Sequence, residues 1–156
     1  MSRTIDGKVL NSERPGHFMM EQWNPIGNVG VITAFNFPAA VCGWNLALSI
    51  ICGNQVVWKG ALTTSLVTIA LGKVCVDVLK RNGWNSVLTV LCGDGPDIGA
   101  AIVADPRNSL VSFTGSTAVG RGVSASVAKR FGKTILELGG NNAVIIMPDA
   151  DLELAF

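Results

Sequence analysis

The feature that most constrains this chain is a regular alternation of short apolar segments with segments of helical periodicity. Residues 28–35 (NVGVITAF) and 55–59 (QVVWK) are rich in β-branched residues and apolar at successive positions. Strands with continuous apolar runs are typical of a parallel sheet that helices cover on both faces. The mean hydropathy of +0.43 fits the same arrangement.

The remaining segments continue this alternation. Further strands are predicted at residues 87–91, 109–113, 134–138 and 143–146, and helices at 38–51, 63–81, 97–104 and about 118–130. Strand–helix–strand units with short connections predict an α/β fold, a doubly wound Rossmann-like parallel sheet. Residues 149–152 predict a helix start, since Asp is favoured at an N-cap. The chain stops soon afterwards, so we expect the fold to be incomplete.

Composition argues against two classes of partner. The net charge is +1 with 15% charged residues and no cluster of basic residues, so we expect no nucleic-acid partner. We interpret residues 39–52 as the most apolar stretch, and it is shorter than the roughly 20 residues that a membrane span needs. We therefore expect no membrane partner.

The cysteines give no sign of a metal site. All four lie in apolar runs without a CxxC pair, and His17 is the only histidine. The sequence therefore predicts no metal site. Buried, reduced thiols are typical of a cytoplasmic or mitochondrial matrix protein.

The carboxyl ends of the predicted strands carry the candidate site residues. Ligands of an open parallel sheet bind outside these ends. An amide, an ammonium, small residues, a hydroxyl and a carboxylate follow successive strands: Asn36, Lys59, Gly99, Gly115 with Ser116, and Glu137. Their convergence on one edge is a stronger signal than any single motif.

Each candidate also has a plainer interpretation. Gly115 and Ser116 join a strand to a helix start, which suits either phosphate binding or a simple tight turn. A P-loop is excluded, because Arg121 and Gly122 stand where Lys and Ser/Thr are required. Lys59 suits either donation to ribose hydroxyls or a solvated strand end.

Glu137 and Asn36 have two interpretations each. Glu137 lies in the apolar run ILEL, where a half-buried carboxylate would suit a general base. The alternative is a surface carboxylate on an edge strand. Asn36 suits donation to an oxyanion or capping of the helix that follows it.

Four segments together resemble the aldehyde dehydrogenase superfamily. They are NPIGNVGVITAFNFP (24–38), WKGA (58–61), SFTGSTAVG (112–120) and LELGG (136–140), in matching order across essentially the whole chain. EQWNP, FNFPAAVCGWN and LELGGNN resemble the antiquitin branch, the alpha-aminoadipic semialdehyde dehydrogenases, most closely. Leu62 stands where that branch usually has proline.

The resemblance implies a role for each candidate residue. Asn36 would donate its amide to the oxyanion, and Glu137 would be the general base that activates water. NAD would be the cofactor, and its contacts would come from Thr33, Ala34, Phe35, Lys59, Gly99, Ala100, Gly115, Ser116 and Leu138. Lys59 would hold the adenosine ribose, and Gly115 and Ser116 would approach the pyrophosphate.

The resemblance also implies an activity and a division of the chain. The activity would be NAD-dependent oxidation of a small-molecule aldehyde by a homotetrameric enzyme. Residues 1–25 would end an oligomerisation hairpin, 26–138 would form the NAD-binding domain, and 139–156 would begin the catalytic domain. The family's nucleophilic cysteine would lie beyond residue 156, so we expect this chain alone to be inactive. The alternative is a non-catalytic dinucleotide-binding or subunit-interaction fragment.

Overall fold

The computed structural model describes residues 5–155, which begin with a small hairpin. Strands β1 (Val9–Leu10) and β2 (Met19–Met20) pair antiparallel, and both are exposed. The α/β part follows in the order β3 (Asn28–Ile32), α1 (Ala40–Ile51), β4 (Gln55–Lys59), α2 (Ser65–Arg81), β5 (Leu88–Leu91), α3 (Ala100–Ala104), β6 (Asn108–Gly115), α4 (Thr117–Ala128), β7 (Lys133–Leu138) and α5 (Leu152–Ala155).

Five of these strands form one parallel sheet in the order β5-β4-β3-β6-β7. Strand β3 lies at its centre, and the chain order runs outward from β3 to each edge in turn. This is the doubly wound topology that the alternation of apolar and helical segments predicts. The predicted α/β fold with a Rossmann-like sheet is confirmed.

Helices cover both faces of the sheet, and each face has its own core. Helices α1 and α2 pack on one face, around Val31, Val56 and Trp58. Helices α3 and α4 pack on the other, around Ile32 and Val111. Adjacent residues such as Val31 and Ile32 face opposite cores, which explains why the strands are apolar at successive positions.

Two predicted strand segments differ from the structure. Strand β3 ends at Ile32 rather than at residue 35, because the chain leaves the sheet after Thr33 to enter α1. The strand predicted at residues 143–146 is wrong. Val144 and Ile145 are 77% and 84% exposed, and no described strand pairs with them. High β-propensity does not make a strand without a neighbour to bond.

The predicted helix boundaries are confirmed to within a few residues. Gly53 follows α1 with φ +75°, and its N–H donates to the Ile50 carbonyl at 2.9 Å. A 3₁₀ turn over Leu62–Thr64 precedes α2, and a π turn over Gly95–Gly99 precedes α3. The Asp151 carboxylate accepts from the Glu153 N–H at 3.0 Å, so it caps α5 as predicted.

Helix α2 and the 3₁₀ turn before it form a second apolar segment, which the argument against a membrane span from residues 39–52 did not consider. The helix Leu62–Arg81 has 20 residues and contains an 18-residue window with a mean hydropathy of 1.7, so by length and composition alone it could cross a membrane. Residues 39–52 are therefore not the only long apolar segment. The inner side of α2 packs on the sheet, since a Cβ on Gly72 would lie 2.8 Å from the Val90 side chain. Only 11% of that window is buried, and Leu66 and Val74 are 84% and 61% exposed, so the outer side of α2 is apolar and exposed.

The expectation of four buried thiols is wrong. Cys42 is buried and Cys75 is half-buried, but Cys52 and Cys92 are exposed. Cys52 follows the last residue of α1, and Cys92 follows the edge strand β5. Both positions lie where an element ends, so apolar sequence neighbours do not ensure burial there.

Phe131 adopts a backbone conformation that favours glycine. It follows α4 with φ 58°, and its N–H donates to the Ala128 carbonyl at 3.0 Å. This left-handed position after a helix is usually glycine, since an L side chain costs roughly 1 kcal/mol there. The side chain is 97% exposed, so it provides no packing in return.

We predict that Phe131→Gly raises the free energy of unfolding by about 0.5–1 kcal/mol. Phe131→Ala is the matched control, because it removes the ring but keeps the strained backbone. Urea unfolding of the two variants and the wild type measures the difference. A loss of stability in Phe131→Gly would contradict this account of the turn.

Candidate functional site

The carboxyl ends of the parallel strands meet at one edge of the sheet. The strand register places Ile32 beside Lys59 on one side and beside Phe113 on the other. It also places Gly115 beside Leu138. The predicted site residues at these strand ends are therefore brought to a common edge, as the topology requires.

The alternation of side chains divides these residues between the two faces. Phe113 and Leu136 belong to the core under α3 and α4. Leu138 points the same way, since a Cβ on Gly120 of α4 would collide with its side chain. Glu137 lies between Leu136 and Leu138, so it points to the α1 face, and its register partner is Thr114.

Lys59 is buried at the end of β4, where it meets Gly99. The residue is 5% exposed, and its Nζ donates to the Gly60 carbonyl at 3.1 Å. A Cβ on Gly99 would lie 3.9 Å from the Cδ and Cε atoms of this lysine. The solvated strand-end interpretation is therefore wrong, and the structure brings two predicted residues into contact.

Burial sets the electrostatics of Lys59. Desolvation lowers the pKa of Lys59 from its ordinary value of 10.5, and the charges of Asp94 and Cys92 oppose this effect. Asp94 also accepts from the Asp97 N–H at 2.9 Å, which orders the turn before α3. The edge thus holds a partly desolvated ammonium, and among the described residues only one of its three N–H bonds has an acceptor.

A cavity of about 540 Å³ lies between α3 and α4, next to Gly99. The predicted residues Gly99 and Ala100 line it. Sequence reasoning missed the rest of its lining: Ile32, Gly95, Pro96, Val103, Ala104, Phe113, Ala118, Val119, Gly122, Val123 and Ser126. One sequence signal could have located this cavity. Ala118, Gly122 and Ser126 are spaced four residues apart, which places small side chains on one face of α4.

Gly115 is the last residue of β6, and Ser116 connects it to α4. The Ser116 hydroxyl accepts from the Val119 N–H at 3.3 Å, so it caps the helix. A Cβ on Gly115 would lie 2.6 Å from the Phe113 ring, so a larger residue does not fit without movement. The amino end of α4 therefore opens directly onto the edge, and its backbone N–H groups and dipole favour an anion.

The prediction that the Glu137 carboxylate is half-buried is wrong. Its side chain is exposed, because β7 is an edge strand of the described sheet. This placement matches the edge-strand alternative. Thr114, its register neighbour, has a buried hydroxyl without a hydrogen-bond partner among the described residues. Sequence reasoning did not single out Thr114.

The segment 33–36 leads from β3 to α1. Thr33 is 3% exposed, Ala34 is half-buried, and Phe35 and Asn36 are exposed. Helix α1 begins without a side-chain capping bond, so the capping interpretation of Asn36 is wrong. The amide of Asn36 is exposed beside the edge.

The described residues contain no group of three or more His, Cys, Asp or Glu side chains suited to a metal ion. The pieces that they do bring together are a buried ammonium, an apolar cavity and a helix amino end. These suit a ligand with hydroxyl, apolar and anionic parts.

Comparison with known proteins decides the family. The model of the aldehyde dehydrogenase family matches residues 1–156. The chain belongs to the aldehyde dehydrogenase family. It is 57% identical over 155 residues to a putative aldehyde dehydrogenase family 7 member A1 homolog of Dictyostelium discoideum. It is 55% identical over 154 residues to the alpha-aminoadipic semialdehyde dehydrogenase of Bos taurus. The predicted family and its antiquitin branch are confirmed.

These alignments cover 99% of this chain but only 30% and 29% of the two relatives. This aldehyde dehydrogenase segment thus spans about a third of their length. A betaine aldehyde dehydrogenase of Staphylococcus aureus, solved in complex with NAD⁺, superposes with a TM-score of 0.85 and 29% identity. That match covers 99% of this chain and 30% of the solved one.

We predict that Lys59→Met stabilises the chain at neutral pH. Burial lowers the pKa of Lys59, so the charged lysine is disfavoured in the folded state. Between this lowered pKa and 10.5 the unfolded chain binds more protons, and wild-type stability therefore rises with pH in that window. Methionine carries no charge, so the variant should lack this rise.

Urea unfolding from neutral pH to about pH 10 tests this prediction, in a window set by the ordinary lysine pKa. The control is Lys73→Met, which removes an exposed lysine of α2. If the difference in free energy of unfolding between wild type and Lys59→Met stays constant with pH, burial does not disfavour the charged lysine.

Proposed function

We propose that these residues form the NAD-binding half of an aldehyde dehydrogenase active site. The observation that carries the proposal is the contact of buried Lys59 with Gly99, beside an apolar cavity and the amino end of α4. The proposed reaction is oxidation of alpha-aminoadipic semialdehyde to the carboxylic acid. The name of the bovine relative supports this substrate, and the NAD⁺ complex of the staphylococcal neighbour supports the cofactor.

The residues fit the successive parts of a dinucleotide. The apolar cavity between α3 and α4 suits adenine, and the Lys59 ammonium suits the hydroxyls of its ribose. The amino end of α4, reached past Gly115 and Ser116, suits the pyrophosphate. The nicotinamide end would then lie towards Leu138 and the segment 33–35. NAD, when bound, accepts the hydride that the aldehyde carbon gives up.

Two residues would serve the chemistry at that end. The exposed amide of Asn36 would donate to the aldehyde oxygen as a thiolate adds to the carbonyl carbon and this oxygen becomes negative. Glu137 would take a proton from the water that releases the acid from the thioester. Glu137 is on the α1 side of the edge, opposite the cavity, and Asn36 is exposed in the segment between β3 and α1.

The nucleophilic thiol is proposed to lie outside these 156 residues. Burial raises the pKa of Cys42 to about 12 and also raises the pKa of Cys75, which opposes thiolate formation at both. Cys52 follows the carboxyl end of α1, at the opposite edge of the sheet. Cys92 follows β5, four strand spacings from β7, or roughly 19 Å from the strand of Glu137.

A subunit-interaction role has one supporting observation. The hairpin region exposes large apolar side chains: Phe18 (69%), Met20 (55%) and Trp23 (72%). Exposed apolar clusters mark interaction surfaces. We propose that residues 1–25 contribute to assembly of a homotetrameric parent enzyme, which adds to the catalytic proposal and does not replace it.

We predict that the 156-residue chain binds NAD and that Lys59→Met weakens this binding about tenfold or more. The loss reflects charge-assisted hydrogen bonds, each worth roughly 1.5–3 kcal/mol. Calorimetric titration with NAD and with NADP measures it. Lys73→Met, the exposed control, should bind as the wild type does. Equal binding by both variants would contradict the assigned ribose contact.

We also predict that this chain alone produces no NADH from alpha-aminoadipic semialdehyde, because it supplies no thiolate next to Asn36 and Glu137. Absorbance at the NADH band measures production. An above-background rate that Glu137→Gln abolishes would show that the chain has its own nucleophile, and would overturn this prediction.

A further inference from the structure

A buried side-chain hydrogen bond joins the ends of two central strands. The indole Nε1 of Trp58 donates to the Thr33 hydroxyl at 3.1 Å, and the two residues are 0% and 3% exposed. We propose that this bond is a clamp that positions Lys59 relative to residues 34–36. The inference rests on the proposed function, because it assigns the clamp to the dinucleotide site.

Thr33 is the last fixed point before the chain leaves the sheet. Its backbone N–H donates to the Lys59 carbonyl at 3.1 Å, and its hydroxyl accepts from Trp58, the residue before Lys59. After Thr33 the chain is no longer paired in the sheet, and it leads to Phe35 and Asn36. The Thr33 side-chain bond therefore acts at the point where that segment starts, beside the backbone bond to β4.

The indole is a rigid donor. Trp58 is fully buried in the core cluster with Val31, Val56, Cys42 and Leu46. A close-packed core leaves such a ring little freedom to rotate. A buried indole N–H without an acceptor costs about 1–3 kcal/mol, so the hydroxyl of Thr33 is held where the ring requires it.

Lys59 is also held from its carboxyl side. Thr68 of α2 is fully buried, and its hydroxyl donates to the Thr64 carbonyl at 3.2 Å. A Cβ on Gly60 would collide with that hydroxyl, so the backbone after Lys59 lies directly against α2. The clamp and this contact together fix the backbone on both sides of the lysine.

The clamp changes the role given to Thr33. Its hydroxyl is engaged by Trp58 on the α1 face, whereas Lys59 and the cavity lie on the α3 face. Thr33 and Trp58 are therefore positioning residues, which act on the dinucleotide through Lys59 and the segment 34–36. Neither sequence pattern nor spacing signals this pair, because the two residues are 25 positions apart.

The test uses the full 156-residue chain and two measurements: the dissociation constant of NAD, and amide hydrogen exchange. Thr33→Val removes the acceptor and nearly keeps the side-chain shape, whereas Trp58→Phe removes the donor and puts a smaller ring in the core. Each should weaken NAD binding about 5- to 10-fold, as expected for loss of a buried hydrogen bond. Each should also speed exchange of the amide at position 33, whose N–H donates to the Lys59 carbonyl.

Three further variants separate the clamp from general destabilisation. Thr33→Ser keeps the hydroxyl and should restore near wild-type binding and exchange. Val56→Ala is the matched control, because Val56 lies on the same strand, face and core as Trp58. It should lower stability without weakening NAD binding. The double variant, Thr33→Val with Trp58→Phe, should bind NAD no more weakly than the weaker-binding of the two single variants. Both substitutions remove the same hydrogen bond, so their effects on the binding free energy should not add.

The proposal is overturned if Thr33→Val leaves exchange of the amide at position 33 unchanged, or if Val56→Ala weakens NAD binding as much as Thr33→Val does. Failure of the proposed function gives a different result. In that case the wild-type chain does not bind NAD, while local exchange still responds to Thr33→Val and so still supports the clamp.

Discussion

Parallel pairing around β3 is the interaction on which the rest of this structure depends. Strand β3 bonds β4 on one side and β6 on the other, with Ile32 level with both Lys59 and Phe113. Parallel pairing sends every crossover through a helix and brings every carboxyl end to one edge. An ammonium, a glycine turn and a carboxylate that are far apart in sequence become neighbours along that edge.

The two faces of the sheet separate the residues suited to cofactor recognition from those proposed for the chemistry. The face under α3 and α4 holds the cavity and the buried stem of Lys59, both suited to recognition. The face under α1 holds Thr33 and Glu137, with Asn36 at the entrance to the helix. A ligand that spans the edge would touch both faces. The Trp58–Thr33 bond links the end of β4, which carries Lys59, to the end of β3, which leads to Asn36.

The sequence predicted the elements whose signals are local. The predicted bounds of β4 match the observed ones. Its apolar residues lie between Gly53, which ends α1, and the start of the next helix, so both ends are visible in the sequence. The family motifs located the strand ends. The failures concern long-range packing: Glu137 is exposed because β7 is an edge strand, and Val144 and Ile145 remain unpaired. The Trp58–Thr33 bond and the cavity lining also depend on which helix packs where, which no local pattern contains.

The central claim is that this segment supplies the cofactor half of an aldehyde dehydrogenase site, including Asn36 and Glu137. The most direct measurement replaces the matching segment of the bovine relative, which is 55% identical, with residues 1–156. We predict that the purified chimera oxidises alpha-aminoadipic semialdehyde with NAD, and that Asn36→Ala or Glu137→Gln lowers kcat about 100-fold or more. A folded chimera that binds NAD but has no activity, or keeps full activity in both variants, would contradict the claim.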